Sequence, residues 1–416
     1  MEYIIDLHLH SRYARACSPQ LTLPSISRYC VRKGVNVVAV PDYTHPKMFA
    51  EAREQLESAG EGIYKIKDSD DLTRFIFSTE ISCIYSKGGR VRRLHIVLMA
   101  PSLEVAGEIN NALGKIGNLA ADGRPILGLD AKELARIVLD ISPDCMIIPA
   151  HAWTPWFAVF GSKSGFDSLE ECFEEYTDKI YAIETGLSSD PAMNWRLSAL
   201  DRVALVSNSD AHSLPNIARE ANVFDLDTLS YGEICRVIRE KDRKRFLYTI
   251  EFYPEEGMYH YDGHRDCGVV LRPAQTKKEK GICPKCKKPL TVGVSYRVEE
   301  LADRPEGFVP DNAIPYKNLV ELDKIIAESL NIKSRSSKAV QAEFDRMVSQ
   351  KTELDILLHA SYVELADIVS NPRIVEGIRR MREGKLVIQP GFDGQYGQVQ
   401  IFSAAERAET GQKQLF

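Results

Sequence analysis

Residues 3–10 read YIIDLHLH, a largely apolar run that closes on two histidines with one residue between them. Such a run predicts a strand over Tyr3–His10, and its period of two places His8 and His10 on one face at the C-terminal end. The same design recurs through the first 253 residues. Val- and Ile-rich runs at 35–42, 74–80, 94–100, 145–151, 181–185, 203–210 and 246–252 alternate with amphipathic stretches at 23–33, 47–59, 103–115, 131–139, 169–176, 192–200 and 231–241. Gly34 and Gly60 stop the first two of these helices. Alternating strand and helix units predict an α/β fold with a parallel sheet, closed as a barrel or open and doubly wound.

Of nine histidines, six (His8, His10, His45, His95, His151 and His212) fall at or just past a predicted strand end. Asp6, Asp42, Glu80, Glu184 and Asp210 occupy the same kind of position. The C-terminal strand ends of a parallel α/β fold share one face, so residues far apart in sequence converge there. A lone histidine is more often a satisfied core or surface residue; six at corresponding strand ends point to metal ligands. Neutral imidazole and carboxylate together suit Zn, Mn or Fe(II), and a carboxylate such as Glu80 can bridge two ions. Asp6 is as well suited to orienting a liganding histidine as to ligation itself.

The chain has 416 residues, 44% hydrophobic and 27% charged, with a net charge of -6. This length holds two or three domains, and the composition is that of a globular protein with little disorder. No apolar run approaches the roughly 18 residues of a membrane helix. Met1 leads into Asp6 and His8 rather than a secretory segment, so a cytoplasmic protein is expected. The net charge argues against a general polyanion coat, but its distribution is uneven. Residues 1–255 hold 29 Lys/Arg against 36 Asp/Glu, whereas 265–300 hold nine basic residues against four acidic ones. In that second stretch His264, Cys267, Cys283 and Cys286 form H-x2-C followed by C-x2-C. Two short-spaced pairs of soft ligands predict a closed tetrahedral structural zinc, with His260 as a substitute for His264. Helical periodicity resumes at 319–330, 336–349, 362–370 and 372–383, and 386–402, containing PGFDGQYG, predicts a hairpin. The expected domains are 1–255, 256–300 and 301–402, with a flexible tail at 403–416.

HLH at 8–10, PDYTH at 41–45, TEIS at 79–82, LHIV at 94–97, PAHAW at 149–153 and SNSDAH at 207–212 resemble, in order, the motifs of the PHP (polymerase and histidinol phosphatase) family. The resemblance implies a distorted (βα)7 barrel with a multinuclear metal site that hydrolyses phosphoesters. It implies one site from His8, His10, Glu80 and Asp210, a second from Glu80, His95 and His151, and a third drawing on His45, His212 and Asp42. Asp210, Glu80 and His8 would carry catalysis, with two or three divalent cations (Zn, Mn or Mg). In the second motif Tyr43 follows Asp42 and the histidine comes later, a departure from the Asp-His pair frequent in the family. Within the PHP group, HSRY, PAHAWTPWF, FGSKSGFDSLEE, GHRDCG, CPKCKKPLTVG and the terminal hairpin resemble the endonuclease Q family across residues 1–402. That implies a DNA endonuclease cutting 5′ of uracil, hypoxanthine, xanthine and abasic sites.

Some residues give this reading physical support. Trp153, Trp156, Phe157 and Phe160 crowd the loop after His151, where aromatic faces either stack on bases or build a hydrophobic lid. Lys163, Gly165 and Ser168 follow, suited to close approach of a base edge or phosphate. Arg373, Arg379, Arg380, Arg382 and Lys385 form a basic helix face, equally readable as solvated surface or DNA grip. Gln412-Lys413-Gln414-Leu415-Phe416 resembles the short peptide by which replication and repair proteins dock on a sliding clamp. The alternatives are a PHP phosphatase for a small phosphate monoester and a DNA-binding scaffold with a vestigial metal site.

Overall fold

The computed structural model describes residues 1–407. Strand Glu2–Asp6 pairs in parallel with Val37–Val40 and antiparallel with Ala221–Asp225. Val37–Val40 pairs in parallel with Arg74–Lys87, which pairs antiparallel with Arg90–Ala100, and that strand pairs antiparallel with Met146–Pro149. Ala182–Glu184 and Ala204–Val206 form a separate parallel pair. Main-chain bonds tie this pair in on both sides: Ala152 N donates to Glu184 O, Asp210 N to His8 O, and His10 N to Ala211 O.

The sheet is therefore mixed rather than wholly parallel. The runs read at 74–80 and 94–100 as separate strands are arms of one long hairpin, reversed at Gly88 and Gly89, whose φ angles of +59° and +72° are open to glycine at no steric cost. The helix expected over 47–59 ends at Gln55, because Leu56–Gly60 pairs instead with Ile63–Ile66. Pairing to a neighbouring strand overrides local helix propensity there. The helix Leu23–Lys33 forms as expected. Thr22 caps its start by accepting from Ser25 N, and Gly34 ends it at φ +87°.

One apolar cluster draws on Ile5 and Leu7, Val37, Ile76, Val97 and Met99, Met146 and Ile148, Ala182, and Ala204 and Val206. Each of the seven strands from Glu2–Asp6 round to Ala204–Val206 contributes at least one side chain. A larger cluster lies between the sheet and the helices, and takes in the C-terminal helical region through Leu322, Ile325, Phe344, Leu357 and Ile378.

The segment after residue 256 has few apolar residues of its own, and its local core is Val269, Cys283 and Leu290. Beyond it stand helices Leu322–Ser329, Lys338–Val348, Glu353–Leu358, Tyr362–Ile368 and Pro372–Arg382. The expected hairpin forms between Val387–Gln389 and Gln398–Gln400. Its tip clasps the cysteine-rich segment: Asp393 accepts from Arg265 N and from Thr291 Oγ1. Residues 404–407 form a helical turn rather than the start of a tail, held by an Arg380–Glu406 pair at 2.7 Å. Gln412–Phe416 lies outside the described residues. No described helix is long and apolar enough to cross a membrane.

Lys33, at the end of its helix, and Glu353, in the C-terminal region, meet at 3.2 Å with side chains only 4% exposed each. Glu353→Ala leaves a buried ammonium without its partner and is expected to cost about 3–5 kcal/mol. Urea denaturation followed by circular dichroism would read this as a lowered midpoint.

Candidate metal centre and zinc module

Glu80 sits within strand Arg74–Lys87 with its carboxylate fully buried, and its two oxygens face two different groups. Oε2 lies 3.2 Å from His10 Nε2 and 3.6 Å from His8 Nε2. Asp210 Oδ1 is 3.0 Å and 3.7 Å from the same two nitrogens. On the other side, Glu80 Oε1 lies 2.8 Å from His95 Nδ1 and 3.1 Å from His151 Nε2. The ligand atoms of His8, His10, Glu80 and Asp210 are all within 4.8 Å of one another, as are those of Glu80, His95 and His151.

Burial makes this convergence expensive for the protein alone. His8 Nε2, His10 Nε2 and Asp210 Oδ1 are buried without a hydrogen-bond partner, and each such group costs about 1–3 kcal/mol. The opposite nitrogens are satisfied: His8 Nδ1 lies 3.0 Å from Glu184 Oε1 and His10 Nδ1 lies 2.9 Å from Asp42 Oδ1. Carboxylates behind the Nδ1 atoms turn the Nε2 lone pairs toward the common centre, the arrangement by which imidazoles are aimed at a cation. The donor set fits divalent ions, and a carboxylate spanning two such groups holds two of them side by side.

The backbone is bent to reach this geometry. Asp42, His151 and Asp210 have φ of +49°, +28° and +45°, a region that non-glycine residues rarely enter. Strain of this kind costs of order 1–3 kcal/mol per residue and gathers at functional sites. Gly186 (φ +63°) packs on His151 so closely that a Cβ there would lie 2.5 Å from the His151 Cβ.

Several residues take roles other than those expected. Asp42 orients His10 and accepts from Ser11 N at 2.6 Å, standing behind the centre. Asp6 accepts from the backbone amides of Ser209 (3.1 Å) and Ala218 (2.9 Å), pinning the chain around Asp210 rather than an imidazole. His45 stacks on Tyr13 at 4.6 Å, and the His212 ring lies 4.7 Å from that of His10. Among the described residues, His45, His212 and Asp42 do not form a third ion-holding group. Glu184, read only as a strand-end acid, holds His8, accepts from His151 N at 2.8 Å and from Asn208 Nδ2 at 2.9 Å. Arg124 reaches Glu80 Oε2 at 3.0 Å; it lies in a loop without periodicity, and nothing in the sequence signalled it.

In the aromatic loop, Trp153 is buried and donates from Nε1 to Asn194, so it supports the loop from below. Phe160 is also core. Phe157 packs 4.7 Å from the His95 ring, and Trp156 is exposed, touching Tyr259 at 5.9 Å. Lys163 is exposed. Gly165 is needed by the loop itself, since a Cβ would lie 2.4 Å from Gly161 N. Ser168 caps helix Leu169–Phe173. Arg379 is held by Glu376 and Glu383, and Arg380 by Glu376 and Glu406, so this helix face is largely neutralised.

His264, Cys267, Cys283 and Cys286 place their ligand atoms within 4.8 Å of one another, with His264 Nε2 at 3.9 Å from Cys286 Sγ. His260 faces Ser295 Oγ at 3.3 Å instead, which settles the choice between the two histidines. One imidazole and three thiols, all from the chain, are consistent with a closed zinc site that ties down a segment poor in apolar residues.

Glu80→Gln is expected to empty both groups of the centre, whereas Glu184→Gln or Asp42→Asn should weaken cation affinity about 10–100-fold; competition with a chromogenic chelator measures both. Burial lowers the affinity of His8 and His10 for protons, but the Glu184 and Asp42 carboxylates beside them outweigh it and raise both. Protons therefore contest these lone pairs from above the usual histidine range, and cation retention is expected to decline as pH falls through neutrality. Metal content after dialysis at graded pH checks this, and retention unchanged down to pH 5 would contradict it.

Comparison with known proteins agrees with this architecture. The MJ0043 C-terminal domain family matches residues 321–385. The Methanocaldococcus jannaschii protein MJ0043 is 30% identical over 257 residues, covering 60% of this chain, which spans only 31% of that relative's length. Bacillus subtilis YqxK is 27% identical over 375 residues, covering 88% of this chain and 89% of its own. Among solved structures, the lesion-specific endonuclease PfuEndoQ from Pyrococcus furiosus is similar with a TM-score of 0.85 and 28% identity, over 99% of both chains. An endonuclease Q complex with a 27-mer duplex carrying an abasic lesion at the active site gives 0.83 and 29%, over 97% of both. From its first strand to its terminal hairpin, the chain resembles endonuclease Q.

Proposed function

We propose that this chain is a metal-dependent endodeoxyribonuclease that hydrolyses the phosphodiester 5′ of uracil, hypoxanthine, xanthine and abasic sites. The observation that carries the reading is the two-group centre shared through Glu80, set in a chain that matches a lesion-specific endonuclease along 99% of its length. The ring of seven strands around the Ile5–Val206 cluster supports a distorted (βα)7 barrel of the PHP kind over residues 1–255, followed by a zinc module and a helical region. Two or three divalent cations (Zn, Mn or Mg) in the centre would supply an activated water and Lewis-acid charge at the scissile phosphate. His8, His10, Asp210, His95 and His151, with Glu80 between them, would hold these ions. Glu184 and Asp42 fix the imidazole tautomers, and the buried Trp153–Asn194 bond anchors the loop that presents Trp156.

Recognition of a damaged strand fits the outer surface. Trp156 and Tyr259 offer aromatic area where the loop meets the zinc module, suited to stacking on an unpaired base. Lys278, Lys280, Lys285, Lys287 and Lys288 are exposed on that module, suited to phosphates. The paired Arg379 and Arg380 are weaker candidates for that contact. Gln412–Phe416 is proposed as a sliding-clamp peptide.

Duplexes carrying one uracil, one hypoxanthine or no lesion, and a generic phosphate monoester, each with Mn or Mg, test the reading. Scission on the 5′ side of the lesion is expected; equal cutting of the undamaged duplex, or hydrolysis of the monoester alone, would defeat it. Trp156→Ala is expected to slow lesion cutting about 10-fold with metal content unchanged, and undiminished cutting would remove Trp156 from the base pocket.

A further inference from the structure

A guanidinium stands at the mouth of the metal centre. Arg124 Nη1 lies 3.0 Å from Glu80 Oε2, the oxygen that faces His10 and His8. The Arg124 side chain is 27% exposed and the Glu80 side chain 0%, so the arginine covers the carboxylate from the solvent side. Asp210 adds its own attraction to the guanidinium.

The loop that carries Arg124 is fixed by the parts that fix the metal ligands. Arg124 N donates to Asp122 Oδ1 at 3.1 Å, which also accepts from Arg15 N at 3.2 Å. Gly123 N donates to Tyr13 O at 2.9 Å. A Cβ at Gly123 would lie 2.4 Å from Asp42 Oδ2 and 2.8 Å from Ala14 N, so the chain presses against the carboxylate that orients His10. A long side chain on a loop is ordinarily placed loosely; this one starts from a backbone with no room to shift.

Charge then decides what the arginine faces. Glu80, Asp210, Glu184 and Asp42 contribute four negative charges around the centre, which two divalent cations would already balance. A further fixed positive charge is unfavourable there unless an anion is to be bound. A phosphodiester brings one negative charge and gains more on its non-bridging oxygens as water attacks, and the planar guanidinium fork matches two of those oxygens. With one donor on Glu80 and no other acceptor on the fork among the described residues, its remaining donors can meet such a group. We propose that Arg124 binds a non-bridging oxygen of the scissile phosphodiester and stabilises its charge as the bond breaks. The proposal rests on reading the centre as a phosphodiesterase.

The test compares wild type, Arg124→Ala and Arg124→Lys on a uracil duplex and on bis(p-nitrophenyl) phosphate, with metal content measured for each protein. Arg124→Ala is expected to retain its metal and cut ~10²–10³-fold more slowly, with Lys restoring only part of the loss because it lacks the planar fork. A neutral methylphosphonate at the scissile link should weaken wild-type binding about 10-fold more than it weakens binding to Arg124→Ala, in which only the cations lose charge to act on. Equal weakening in both proteins, loss of metal from Arg124→Ala, or undiminished cutting by it would overturn the proposal. Wild type that hydrolyses the small diester but leaves lesion DNA intact would defeat the repair reading alone, and Arg124 is then judged on the diester.

Discussion

The centre depends on one carboxylate being divided between two sets of imidazoles. Glu80 is buried on a central strand, and its two oxygens face His8 and His10 on one side and His95 and His151 on the other. An ionised carboxylate in that position is costly unless positive charge surrounds it. Burial pushes its pKa up, yet His95 and His8 outweigh this and hold it well below the usual range. Asp210 behaves in the same way, lowered against burial by His10 and His8. The structure thus keeps anionic oxygens and unsatisfied nitrogens side by side in a closed space, a combination that cations resolve. The positive φ of Asp42, His151 and Asp210 points to the same conclusion, because strain in three residues around one point is maintained by the surrounding fold against local preference.

What was legible in the sequence is what strand geometry dictates. His8 and His10 share a face because side chains alternate along an extended chain, and His151 and Asp210 join them because strand ends gather at one rim, where Glu80 and His95 reach in from within their own strands. The apparent exception is instructive: His95 lies on a strand antiparallel to Arg74–Lys87, opposite Ser82, and still reaches Glu80. The position along the sheet mattered more than the direction of the chain. The Gly88-Gly89 reversal went unread because the alternation of strands and helices dominates the pattern there.

Other features were not legible for physical reasons. Trp153 and Trp156 are three residues apart in one loop, and composition alone gives no reason for one to be core and the other exposed. The basic helix face reads equally as solvated surface or DNA grip from its arginines alone; Glu376 and Glu383 stand three or four residues from Arg379 and Arg380 and pair with them, which the count of basic residues does not convey. Arg124 belongs to neither class: its place is set by contacts of Gly123 and Asp122 with residues about a hundred positions earlier, which no local pattern encodes.

Pairing of charges also bears on where a nucleic acid would lie. The first 255 residues are acidic overall, and the C-terminal arginines are satisfied internally, so neither offers a broad attractive surface. The module carrying His264, Cys267, Cys283 and Cys286 is different. Of its candidate ligands Cys283 is buried while Cys286 reaches the surface, its apolar core is three residues, and its lysines are exposed. The hairpin tip fastens this module through Asp393, and Tyr259 brings its edge to Trp156. A polyanion attracted to the lysines would lie on the module whose edge reaches Trp156, and in the same loop as Trp156 the ring of Phe157 packs on His95 beside Glu80. Under the proposed function, attraction, stacking and hydrolysis would fall on neighbouring parts of one surface, and a metal ion holding together a module too small to stabilise itself would be a condition for the chemistry to find its substrate.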